Sequence, residues 1–146
     1  MKPIALTCAA VALICAAFSA QARDDIQEYS IAEALATENA RNILGDNIKF
    51  YFGAQKHGPV NKRFGEFGSN KKTNGVGKTD RQACEWAFLS AMKSLRERAE
   101  KEGGNAVVNI RSNYRGTTTT STDTFKCGSG ALMSGVALLG DVVELK

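Results

Sequence analysis

The sequence predicts a two-layer α/β (α+β) fold in which one long helix packs on a small mixed or antiparallel sheet. Three observations carry that reading. The stretch from Thr79 to about Ile110 reads as a capped helix, a glycine stop and a strand in immediate succession. Short apolar segments at Ile48–Phe52 and Val136–Val143 have the length and residue types of strands. Residues 1–22 have the three parts of an export signal, which leaves 23–146 as a length that fits one domain.

The helix is the firmest element. Thr79 followed by Gln82 has the form of a capping box, in which each side chain satisfies a backbone donor left free by the first turn. Cys84, Phe88, Ala91, Leu95 and Ala99 recur at steps of three and four and form one apolar stripe, while Lys93, Arg96, Glu97, Glu100 and Lys101 fall largely off it. Gly103-Gly104 supplies the left-handed stop, and the β-branched run Val107, Val108, Ile110 then begins a strand. Asp80 and Glu85 flank Cys84, where an acid–base pair would be sought. Capping and a favourable charge near the helix N-terminus account for them, so no catalytic residue is assigned.

The export signal consists of Lys2, an apolar run from Ile4 to Phe18, and Ala20-Gln21-Ala22 at the cleavage position. The run is shorter than the roughly 20 residues a membrane span needs, and Arg23, Asp24 and Asp25 follow it at once. The expectation is therefore cleavage after Ala22, a periplasmic or secreted location, and no membrane span afterwards. Cys8 and Cys15 leave with the leader, and neither has the small-residue context of a lipidation site. The whole chain carries a net charge of +4, one less without Lys2, which is too mild to suggest nucleic acid.

Cys84 and Cys127 remain, and an even pair in an oxidising compartment predicts a disulfide. By the chain-entropy account, closing that loop stabilises the fold by on the order of 4 kcal/mol. No metal or cofactor is assigned, since two separated cysteines and the single His57 make no ligand set.

The remaining elements follow in order. Tyr29 to Gly45 predicts a first helix, with Ser30 and Glu33 as another capping box, and Ile48, Phe50 and Phe52 alternate as a strand. The basic segment 54–78 reads as a long loop, interrupted by Pro59 and several glycines. Within it Lys56, Lys62, Arg63, Lys71 and Lys72 are candidate contacts for an anionic polymer or an acidic partner, and Glu66 is its one acid. Phe64 and Phe67 are expected to pin it to the core.

Gly75-Val76-Gly77-Lys78-Thr79 looks like the end of a phosphate-binding loop. Its first glycine is missing, Lys72 standing in that place, so nucleotide binding is not expected. After Ile110 the threonine- and serine-rich run Thr117–Thr122 reads as a hairpin connection, Phe125 and Cys127 share a face of the next strand, and Gly128, Gly130 and Gly135 suggest bulges or close backbone approach.

A resemblance adds to this. Ala99 followed by Gly103-Gly104-Asn105-Ala106-Val107-Val108 is similar to the helix–strand unit of the YbjQ-like heavy-metal-binding family and of the Rcs envelope-stress sensor lipoprotein. Tyr51-Phe52-Gly53, Cys84 to Phe88, Gly103 to Ile110 and Cys127 to Leu138 resemble a group of small exported bacterial proteins often labelled excinuclease ATPase subunit. With neither an intact P-loop nor a zinc-finger cysteine array here, repair ATPase activity is not expected. The Rcs-sensor resemblance implies a small rigid α/β domain that works by binding other envelope proteins; this chain keeps two mature cysteines where that sensor has four. The YbjQ-like resemblance implies oligomer formation and, as the alternative function, a small-ligand or metal carrier. The leading expectation is a non-enzymatic envelope module that binds an envelope protein or component.

Overall fold

The computed structural model describes residues 23–146. The predicted leader and its cleavage site lie outside them. Along the chain come β1 (Asp24–Ser30), α1 (Ile31–Leu35), α2 (Glu38–Leu44), β2 (Lys49–Phe52), β3 (Val60–Asn74), α3 (Asp80–Glu102), β4 (Ala106–Tyr114), β5 (Thr117–Thr119), β6 (Thr124–Gly130) and β7 (Met133–Leu145). The strands form one mixed sheet, with α3 packed across it, so the two-layer α/β expectation holds.

β7 is the spine of the sheet. Its edges are taken by β3 on one side, and by β4 together with the end of β6 on the other. β1 adds to the far edge of β6, and β2 and β5 add to β4. Among the described strands only β2 and β4 run parallel, because the chain between them contains both β3 and α3 and returns by a crossover.

The predicted helix is present with both halves of its capping box: Gln82 N–H donates to Thr79 Oγ1 at 3.1 Å, and Thr79 N–H donates to the Gln82 side chain at 3.0 Å. Gly103 takes φ 85°, the left-handed stop. Gly104 has a different reason to be glycine. A Cβ there would lie 2.8 Å from both Val142 Cγ1 and the Val143 carbonyl oxygen, so the helix can turn into β4 only because its backbone presses directly on β7.

The whole predicted stripe of α3 is buried, joined by Ala83, Ala87, Leu89 and Met92. Cys84 and Cys127 are joined, with their Cα atoms 5.8 Å apart. One turn further along α3, Phe88 stacks on Phe125 with centroids 4.1 Å apart and planes 15° from parallel. The spacings match: four helical residues advance about 6 Å and two strand residues about 6.6 Å, so α3 and β6 meet at two successive points. Phe52 closes the aromatic group at 6.1 Å from Phe88.

Three expectations change. The predicted Tyr29–Gly45 helix is two short helices, and Tyr29 and Ser30 belong to β1. Thr37 splits it: its side chain accepts from Ala40 N–H at 3.1 Å and starts α2, as Ser30 accepts from Glu33 N–H at 3.2 Å and starts α1. The Glu33 carboxylate pairs with Arg81 instead of completing a box. The predicted loop 54–78 is mostly β3, and Gly65 does not break it because it takes φ 128° at a bulge in the strand. The threonine run is a connection that also holds the three-residue strand β5.

Candidate functional site

The cationic residues singled out in the sequence fall on one structural feature. Lys62, Arg63, Lys71 and Lys72 all lie on β3, are all exposed, and stand beside an edge of the sheet. Lys56 lies apart, in the connection between β2 and β3. The four strand residues form two clusters: Lys62 and Arg63 sit opposite Glu144 and Val143, while Lys71 and Lys72 sit opposite Val136 and Gly135. At strand rise the two clusters are about 30 Å apart. Successive strand residues point to opposite faces, so Lys71 and Lys72 flank the edge from above and below.

β3 is shaped by two bulges, the first leaving Asn61 as an extra residue between Val60 and Lys62. Arg63 pairs with Val143 and Gly65 with Val142, which leaves Phe64 as an extra residue. That residue turns Phe64 and Phe67, three apart in sequence, toward the same core, where both pack half-buried. Beyond it the register runs without a break from Gly65 to Asn74. The outer side of β3 carries no strand partner among the described residues, since β3 pairs with β7 alone.

The ion pairs among the described residues gather on α3, at the start of the domain and across the sheet. On α3, Arg81–Glu85, Lys93–Glu97, Arg96–Glu100 and Arg98–Glu102 are ion pairs one turn apart. At the start of the domain Arg23 pairs with Asp25 and Asp80. Across the sheet Arg111 pairs with Glu66 and, at 3.7 Å, with Asp141. The Glu66 contact draws the acid of β3 over to β4. None of Lys56, Lys62, Arg63, Lys71 or Lys72 has a carboxylate within ion-pair distance among the described residues.

Two pKa directions reflect local contacts. The Glu97 carboxyl is held below its ordinary value, first by the Lys93 ammonium that hydrogen-bonds it. The Tyr29 hydroxyl is pushed up, first by burial and then by the charge of Asp80. Neither group is on β3, but the Lys71 ammonium of β3 is among the charges that lower Glu97, after Lys93 and Arg96. Asp80 and Glu85, flanking Cys84, both serve ion pairs at the helix start.

The glycine-rich turn before α3 is occupied by its own backbone. Lys78 N–H donates to Gly75 O at 3.1 Å, its ammonium folds back to Asn74 O at 3.1 Å, and Val76 N–H donates to the Asn74 side chain at 2.8 Å. Among the described residues no group of three or more His, Cys, Asp or Glu side chains is placed to hold a metal ion. No described helix is long and apolar enough to cross a membrane.

Sequence reasoning found the charges of β3 but not the strand that carries them. The signal was present in Phe64 and Phe67, whose odd spacing becomes strand-like once one bulged residue is allowed. Comparison with protein-family models, with curated proteins and with solved structures finds no match.

Proposed function

We propose that this chain is a non-enzymatic binding module of the cell envelope, periplasmic or secreted, that recognises an anionic envelope protein or component through β3. The observation that carries the reading is that four exposed cations share one strand, β3, with no carboxylate at ion-pair distance, while the cations of α3 are largely paired with acids one turn away. Unpaired surface cations keep their charge available to a partner, whereas paired ones must first give up a neighbour. The Cys84–Cys127 bond supports an oxidising compartment, as the sequence-read leader does.

Placing a photoreactive amino acid at Lys72, with a control at the exposed Arg41 on α2, tests this in intact cells. A reproducible envelope adduct from position 72 and none from position 41 is expected. Absence of any adduct from position 72, with saturable binding of a divalent or soft metal in calorimetry, would replace this reading by the metal-carrier alternative.

A further inference from the structure

We infer that β3 is a docking edge for an extended acidic peptide, which adds to the sheet as a further strand. This inference rests on the proposed binding role and names its partner chemistry. A strand at a sheet edge presents a row of backbone N–H and C=O groups that can continue the ladder, and β3 offers such an edge along its side away from β7. The uninterrupted register from Gly65 to Asn74 keeps those groups at regular spacing.

Charge decides what can pair there. A second copy of the chain is disfavoured. In the antiparallel register that overlaps two Val60–Asn74 strands completely, the centre is Phe67, so Lys62 faces Lys72 and Arg63 faces Lys71. Every close charged pair in that arrangement is cation against cation, which is destabilising for cross-strand neighbours. The same positions attract a strand with carboxylates near both ends, and Glu66 does not oppose it because Arg111 holds that carboxylate toward β4. A polysaccharide or lipid anion would use the cations alone and leave the backbone edge unfilled.

A labelled peptide of about ten residues, long enough to span the two cationic clusters, serves as probe, with glutamate pairs at both ends and valine and threonine between. Two N-methylated versions carry methyl groups on alternate amides, one version on each parity. Both keep the charge and composition of the parent, but only one keeps the amides that must face β3. Binding is read by fluorescence anisotropy on the folded, disulfide-bonded chain. The expected result is a loss of roughly tenfold or more for one parity and little for the other, the ratio that a lost ladder hydrogen bond produces. Amide exchange should slow at alternate residues of β3 when the parent peptide binds.

Equal affinity of the parent and both methylated peptides would overturn strand addition. If lipopolysaccharide then displaced the peptide, and the K62Q/R63Q/K71Q/K72Q variant bound neither, the cations would still be a polyanion site and the proposed binding role would stand. Failure of both the peptide and lipopolysaccharide to bind would overturn the two readings together.

Discussion

The two long elements that flank β7 are built on opposite principles. α3 covers the sheet with a buried stripe, a disulfide and a stacked aromatic pair, and its outward side is laced with ion pairs one turn apart. β3 pairs with the same central strand, yet most of its side chains are exposed and its four cations have no carboxylate partner. The difference teaches that attachment to the core and availability to a partner are separable within one small sheet. α3 spends its interactions internally, and β3 is held by its register and two phenylalanines.

Substitutions should separate the two regions by size of effect. Phe88→Ala removes the ring between Phe52 and Phe125 and should destabilise by about 3–5 kcal/mol, read from the urea unfolding midpoint. An effect below about 1 kcal/mol would mean that the stacked pair is not part of a close-packed core. Replacing both bonded cysteines, C84A/C127A, should cost about 2–5 kcal/mol, and a reducing agent should lower the wild-type midpoint in the same direction without affecting the variant. Thr79→Ala removes one half of the capping box and should cost about 1 kcal/mol.

Tyr29 gives a weaker, pH-dependent effect. Because its folded-state hydroxyl titrates above the ordinary value of about 10, the folded state holds that proton more tightly than the unfolded chain. The contribution is complete below about pH 10 and is lost as pH rises through the folded-state value. Tyr29→Phe should therefore flatten the alkaline fall in stability, measured as the melting temperature against pH.

The smallest effect belongs to β3. Neutralising Lys62, Arg63, Lys71 and Lys72 to glutamine should change stability by no more than about 0.5 kcal/mol, or raise it slightly by removing repulsion. A loss comparable with that of Phe88→Ala would erase the contrast between the two elements.

The sequence made α3 legible because its information is local: cap, stripe and stop all lie within the helix, and all are where the spacing puts them. The Cys84–Cys127 pairing followed from count and compartment. β1 was not read as a strand, since DDIQEYS has little apolar alternation and is exposed along most of its length; only its pairing with β6 makes it one. β3 was hidden for a related reason. A bulge shifted its phenylalanines out of the period of two, and its glycines looked like breaks, so its cations were legible while their alignment was not. Thr37 had the chemistry of a cap, but nothing in the spacing marked it as the point where one helix becomes two.

The pairing of β1 sets a kinetic condition on the chain. Among the described residues its only strand partner, β6, begins a hundred positions later, and β7, the spine, comes later still. Assembly of the sheet thus waits until β6 and β7 have been delivered, and such distant pairings favour slow rather than microsecond folding. Any machinery that moves this protein from its N-terminus forward handles a strand that has nothing to pair with until β6 has followed it.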